Sequence, residues 1–125
     1  MKVKNITIGI RSLEEGLDEF SKVVRAVSQG RSPREKREGI YFETVEAMRA
    51  VLTPRRLELL HLIRQKRPQS VYGLARLSGR HLKNVQDDVS LLSRIGLLSL
   101  SRTTQARPRV VPRVGYNQLQ VQIPV

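Results

Sequence analysis

The sequence contains no cysteine among its 125 residues. This absence excludes disulfides, thiolate nucleophiles and zinc sites with cysteine ligands. No apolar run approaches the roughly 20 residues that a membrane-spanning helix needs. The first residues interleave apolar and polar side chains and do not form the apolar core of a signal peptide. From these absences we expect a cytoplasmic protein that does not insert into membranes.

Acidic residues are scarce, and their scarcity is uneven along the chain. Residues 1–52 carry ten Lys/Arg against eight Asp/Glu, whereas residues 53–125 carry thirteen against three. The second half therefore holds most of the formal net charge of +12. A field of that sign attracts a polyanion and releases its counterions, which indicates a nucleic acid as a partner. A membrane surface is a weaker candidate, because no segment combines a strongly apolar face, a basic face and bulky aromatics.

Arrangements of residues that support catalysis are also missing. His61 and His81 are twenty residues apart and lack the neighbouring Glu or His of a metal site, and there is no serine or cysteine elbow. Asp87 and Asp88 are adjacent, so on a helix they point about 100° apart and do not share a proton. We therefore expect no enzyme activity, no metal and no cofactor.

The strongest positive pattern lies between residues 70 and 98, where one tight turn joins two amphipathic segments. Ser70 is a predicted N-cap of the first helix, Gly79 tolerates the positive φ of a sharp reversal, and Gly96 ends the second helix. This is the pattern of a helix-turn-helix. The predicted buried residues are Val71, Leu74 and Leu77 on the first helix and Leu82, Val85, Val89 and Leu92 on the second.

The polar face of the second helix predicts a surface that reads DNA. The N-terminal residues of such a helix reach base edges in the major groove, where Arg suits guanine and Asn suits adenine. Residues 101–109 form a polar loop with three arginines and no acid, at the place where the wing of a winged helix follows the DNA backbone. Helix pairs of this kind also occur in protein-interaction modules, which remain an alternative. The predicted DNA-binding residues are Ser70, Arg80, His81, Lys83, Asn84, Arg94, Arg102, Arg107 and Arg109.

Further elements flank this helix pair. Thr53-Pro54 predicts the start of a helix that runs to about residue 66 and buries Leu57, Leu60 and Ile63. Residues 1–10 and 118–125 alternate apolar and polar side chains, which predicts two strands that pair with each other, within one subunit or between two.

The N-terminal region has a helical pattern of its own. Ser12 and Glu15 predict a capping box for a helix to about residue 28, and residues 29–39 form a charged linker. The apolar stripe of this helix needs a partner, either the rest of the chain or a second copy. The predicted dimer or partner interface consists of Ile6, Ile8, Leu13, Leu17, Phe20, Val24, Val121 and Ile123.

Several pieces of residues 42–98 match a known pattern: the helix start at 52–56, Ser70, Leu74-Ala75, Gly79-Arg80, Asn84-Val85, Asp88 and Gly96-Leu97. Through them this stretch resembles a group of prokaryotic winged helix-turn-helix proteins, transcriptional regulators related to the MarR-like class. The likeness continues more weakly toward both chain ends. It implies DNA binding, and for some similar proteins a role as the antitoxin of a small toxin. This chain departs from the pattern at residues 101–113, which are longer and richer in arginine than a compact wing.

Together these patterns predict an α+β fold that is mainly helical. Residues 1–39 are predicted to be a strand-helix extension with a linker, and residues 40–125 a winged helix-turn-helix domain with a C-terminal strand. The expected function is that of a sequence-specific DNA-binding transcriptional regulator that acts as a homodimer and controls its own operon. The alternative is an antitoxin that neutralises a toxin by direct binding.

Overall fold

A computed structural model describes residues 5–12, 14, 17, 18, 21, 22, 24, 25 and 39–125. The described helices and strands form an α+β fold, as predicted. They fall into two compact units. The helical unit is Val51–Asn117, and the sheet unit comprises Gln118–Val125 and the described residues of Asn5–Ala50.

Helices in the described part of the chain lie mainly in the helical unit. None of them has the length and apolar character needed to cross a bilayer. The seven described residues between 14 and 25 also have helical backbone, while Glu15 of the predicted capping box and linker residues 29–38 lie outside the description. The four helices whose bounds are described are α1 (Val45–Val51), α2 (Pro54–Lys66), α3 (Val71–Ser78) and α4 (Leu82–Arg94).

Local capping signals set ends of α2 and α3. The Thr53 hydroxyl accepts a hydrogen bond from the Arg56 N–H (3.3 Å) ahead of α2, and the Ser70 hydroxyl accepts one from the Gly73 N–H (2.9 Å) ahead of α3. Each satisfies a first-turn donor that has no partner inside its helix. Gly79 follows α3 with φ of 68°, in the left-handed region that glycine tolerates best. The predicted caps and turn are confirmed.

The core of the helical unit is built from one apolar stripe on each of three helices. These stripes agree in part with the predicted set, since Leu60, Ile63 and most of the α3 and α4 residues are buried. The buried residues are Leu59, Leu60 and Ile63 on α2, Val71, Leu74 and Ala75 on α3, and Val85, Val89 and Leu92 on α4.

Three leucines predicted to be buried are exposed. Leu57 is 40% exposed, Leu77 49% and Leu82 36%. On α2, Leu57 precedes Leu60 by three residues and Leu59 precedes Ile63 by four, so both leucines satisfy helical spacing. Tertiary packing buries Leu59 and leaves Leu57 exposed. Leu82 is the first residue of α4 and lies beyond the end of the buried stripe. These predictions were therefore wrong because spacing alone leaves the angular position of a stripe open.

A hairpin follows α4. Strands β3 (Ser99–Arg102) and β4 (Val110–Arg113) pair antiparallel, and Leu97 and Leu98 are buried just before β3. The Tyr116 hydroxyl donates a buried hydrogen bond to the Leu97 carbonyl (2.7 Å). This bond ties the chain after β4 back to the segment that precedes β3.

The sheet unit contains three parallel strands in the order β2-β1-β5. They are β1 (Asn5–Ile10), β2 (Gly39–Phe42) and β5 (Gln118–Gln122). The predicted pairing of the terminal strands is confirmed, and it occurs within one chain. Because β2 and β5 both bond to β1, residues 40–50 and 118–125 group with the N-terminal strand, which differs from the predicted division at residue 39.

Tyr41 on β2 requires small residues next to it. A Cβ atom added to Gly9 or to Gly39 would lie 2.9 Å from the Tyr41 side chain, so either substitution would displace the ring. The guanidinium carbon of Arg11 lies 3.8 Å from the centre of the same ring, in cation–π contact. The two glycines therefore let the ring lie close to the sheet.

We predict that stability falls at high pH through Tyr116. Desolvation by burial raises its pKa from 10.0 to about 12. Because the pKa of Tyr116 is higher in the folded than in the unfolded state, the contribution of its neutral side chain to the free energy of unfolding is complete below about pH 10. This contribution is lost as the pH rises toward 12. Urea unfolding followed by circular dichroism should show a smaller loss over this interval for Tyr116→Phe. At pH 7 that variant should be less stable by about 1 kcal/mol, since it lacks the bond to Leu97; identical pH profiles would contradict the assignment.

Candidate nucleic-acid interface

The exposed face of α4 is determined by the residues that the helix buries. Val85, Val89 and Leu92 are at most 1% exposed and face the core of the helical unit. The opposite side of α4 carries exposed polar residues at steps of four, three and four, which align them along the helix. This polar stripe consists of Lys83, Asp87, Ser90 and Arg94.

Two amide side chains lie on either side of the polar stripe. Asn84 and Gln86 are both exposed. Because they are two residues apart, their side chains point about 200° apart around the helix axis. They therefore occupy opposite flanks. Leu82 precedes Gln86 by four residues and shares its flank, and both line an open cleft.

Three elements of the helical unit meet around this cleft. It has a volume of about 440 Å³ and is lined by the start of α3, the Leu82/Gln86 flank of α4 and the end of the hairpin loop. Tyr72 on α3 is 60% exposed and contributes an aromatic ring. Pro108 and Arg109 contribute from the hairpin. A basic loop thus lies across the cleft from one flank of α4.

The hairpin carries an exposed group of arginines beyond its paired residues. Arg102 pairs with Val110 in the ladder, and a bond from the Thr103 N–H to the Arg109 carbonyl (2.9 Å) extends it by one step. The side chains of Arg102, Arg107 and Arg109 are exposed. Arg113 differs, because its Nη1 donates to the carbonyl of Pro68 (2.8 Å) and holds the hairpin base against the helices.

Asp88 binds two arginines from other parts of the helical unit. Its Oδ1 accepts from Nε of Arg56 on α2 (3.0 Å), and its Oδ2 accepts from Nη2 of Arg80 in the turn before α4 (2.8 Å). All three side chains are largely buried, with 13 to 22% exposed. Because charge-assisted bonds in such a setting are strong and directional, they join the start of α2, the turn and α4.

The assignment of Arg80 as a base-reading residue is corrected by this geometry. Its side chain is 17% exposed and committed to Asp88. An arginine that reads guanine needs both terminal nitrogens available at the surface. Arg80 therefore supports α4 from the turn, and its sequence position beside the helix start gave no sign of this.

The other predicted DNA-binding residues lie at the surface of the helical unit. Ser70 uses a lone pair for its cap, so its O–H group can still donate toward the cleft. His81 is the exposed N-cap residue of α4 and makes no side-chain capping bond. Lys83, Asn84 and Arg94 are exposed on α4, whereas the hairpin arginines belong to a separate element.

The described members of the predicted interface lie in the sheet unit and have different exposures. Ile8 is 0% exposed in the central strand, so its side chain belongs to the core of that unit and its interface assignment is corrected. Ile6 is half-buried, and Leu13 and Phe20 lie outside the described residues. The exposed members are Leu17 (57%), Val24 (49%), Val121 (48%) and Ile123 (49%).

Sequence reasoning missed the residues that line the cleft. Helical periodicity identifies the outward face of α4 but does not show which flank the hairpin approaches, so it does not single out Gln86. The apolar pattern places Leu82 in the core and gives no role to Tyr72. An aromatic residue on an otherwise polar helix face was the available signal, since the whole chain has only five aromatic residues.

A family model described as HVO_A0114 matches residues 51–121, which is more than half of the chain. The chain belongs to the HVO_A0114 family. The matched region contains the whole helical unit and most of β5. No curated protein and no solved structure matches the chain. The family assignment thus covers the α4 face, the cleft and the hairpin without naming a ligand for them.

We predict that Asp88→Asn lowers the free energy of unfolding by about 2 kcal/mol, because two largely buried guanidinium groups lose their anionic partner. Asp87→Asn is the matched control: it removes the same charge one position away, at an exposed site, and should change stability by less than about 0.5 kcal/mol. Urea denaturation of both variants measures the difference. Equal stabilities would show that the ion pairs do not hold α4.

Proposed function

We propose that the helical unit is a winged helix-turn-helix that binds double-stranded DNA sequence-specifically, and that the protein is a cytoplasmic, homodimeric transcriptional regulator. In this proposal α4 enters the major groove and the β3–β4 hairpin is the wing. The observation that carries the proposal is the meeting of the Leu82/Gln86 flank of α4, beside its exposed polar stripe, and an arginine-bearing hairpin at one cleft. The MarR-like resemblance of the sequence points to the same class of regulator.

The charge of this surface supports a polyanionic partner. Residues 53–125 contain three acids, and one of them, Asp88, is bound to two arginines. Asp87 is then the one exposed acid of α4. A carboxylate there accepts from the amino group of cytosine and repels phosphate, so it favours placement over bases.

The two sides of the cleft suit two parts of a DNA duplex. An α-helix fits the major groove, and the sugar-phosphate backbone borders that groove. With α4 in the groove, the hairpin arginines meet this backbone and set the position of the protein without reading sequence. Asn84 and Gln86 each carry an amide that pairs with adenine through two hydrogen bonds.

We predict a steep dependence of DNA affinity on salt. Contacts from five exposed cations (Lys83, Arg94, Arg102, Arg107 and Arg109) give a slope of log K against log salt of about −4.5 per subunit. Fluorescence anisotropy with a labelled duplex across a salt series measures this slope. A flat response at physiological and lower salt would rule out this mode and favour a protein-interaction module.

A comparison of Arg107→Ala with Arg49→Ala distinguishes the loss of a phosphate contact from the loss of one unit of net charge as the cause of weaker DNA binding. Both remove one exposed positive charge, but Arg49 lies on α1 in the sheet unit. Arg107→Ala should reduce the magnitude of the slope by about 1 and weaken all sequences equally. Arg49→Ala should leave the slope unchanged.

We predict that the amides on α4 determine base preference. Asn84→Ala and Gln86→Ala should each cost about 1–3 kcal/mol on the preferred duplex and relax selectivity at one position. Gln65→Ala is the control, because Gln65 is an exposed glutamine on α2. Selection of binding sites from a random duplex pool measures the preference. Unchanged sites for both α4 variants would mean that α4 does not read bases.

The antitoxin alternative remains a proposal for the N-terminal region. It depends on residues 1–39, where Leu17 and Val24 are exposed apolar side chains that a protein partner would cover. DNA binding through the helical unit is compatible with this role. The arrangement of α4 and the hairpin favours the regulator.

A further inference from the structure

We infer that β5 is the dimerisation strand, and that two copies of this chain pair β5 with β5 antiparallel to form a continuous six-stranded sheet. This deepens the proposed function, which needs two copies to read two half-sites. Among the described strands, β5 is at one end of the order β2-β1-β5 and has no neighbour on its outer side. Its residues are exposed except for Leu119, which is half-buried.

The charge of the C-terminal segment favours a second copy as the occupant of this edge. Residues 114–125 contain no charged side chain, in a chain with a net charge of +12. A two-fold contact places each residue near its own symmetry mate or near a close sequence neighbour, so like charges there would repel. The other edge strand, β2, is followed at once by Glu43 and preceded by the charged linker. The β5 edge lacks this repulsion.

The sequence of β5 matches itself when it is reversed. Gln118–Gln122 reads QLQVQ, so an antiparallel pair centred on Gln120 places glutamine opposite glutamine on one face and Leu119 opposite Val121 on the other. Glutamines in register exchange side-chain hydrogen bonds, and Leu and Val pack as a cross-strand pair. Val121, now 48% exposed, then gains an apolar neighbour.

Pro124 limits this pairing to a closed dimer. Exposed edge strands are usually protected by charge, by proline or by a covering segment, because they otherwise recruit further strands. Here β5 has no charge, and Pro124, which lacks an N–H, ends the ladder two residues after Gln122. The β5–β5 contact around a two-fold axis also covers the β5 edge of both copies, so no further strand can add to that edge.

The test compares full-length Gln120→Lys with full-length Gln65→Lys by sedimentation velocity at micromolar concentration. Gln120→Lys puts two positive charges opposite each other at the two-fold axis and should raise the dimer dissociation constant at least about tenfold. Gln65→Lys adds the same charge on α2 and should remain dimeric. A monomeric wild type, or a Gln120→Lys protein as dimeric as the control, would overturn the inference.

A second measurement does not depend on the lysine variant folding. The chain has no cysteine, so Gln120→Cys introduces a single thiol. Residues directly opposite in an antiparallel pair are close enough for a disulfide, and mild oxidation should give a covalent dimer. Gln65→Cys should stay mainly monomeric on a non-reducing gel. Equal cross-linking of both variants would reject a two-fold axis at β5. Salt-dependent binding of a single DNA half-site would still support the proposed DNA function in that case, so the two proposals fail separately.

Discussion

The orientation of α4 depends on the ion pairs that the Asp88 carboxylate makes. The N-cap residue of α4, His81, makes no side-chain capping bond, so no side-chain cap holds the start of this helix. Asp88 supplies the missing restraint by binding Arg56 of α2 and Arg80 of the turn. A rotation of α4 by one position, about 100°, would break both ion pairs and turn Gln86 away from the cleft. The buried ion pairs therefore fix the rotation of α4 and, with it, the residues that form the exposed polar stripe.

This arrangement also decides which charges the surface presents. Binding Asp88 inside the helical unit neutralises an acid that would otherwise weaken the attraction of a basic surface for phosphate. The two arginines give up a surface role in return. Exposed cations remain on the polar stripe and the hairpin, the two elements that meet DNA in the proposed function, and others lie on α2 and α3. Base preference then depends on amide and carboxylate groups along α4, in the proposed function.

Sequence reasoning succeeded where the determining contacts are local. The caps at Thr53 and Ser70 join residues three positions apart, and the turn at Gly79 joins residues at most five apart, so a short stretch of sequence contains all of that information. It failed for Arg80, whose partner is eight residues away on the next helix, and for the choice between Leu57 and Leu59, which depends on packing between helices. The fold class and the α4 face were predictable, whereas the flank that faces the hairpin depends on three separate elements.

The topology of the sheet joins the two chain ends, so dimerisation through β5 and partner binding by the N-terminal region both depend on the same sheet. The central strand comes from the N-terminus, and its two neighbours come from residues 39–42 and from the C-terminus. A chain cut at residue 40 would keep β5 and most of β2 but lose the strand that bonds to both. Removing the first 39 residues would thus affect a β5-mediated dimer as well as any partner bound by the N-terminal region. Point substitutions on exposed residues separate these roles, because they leave β1 in place.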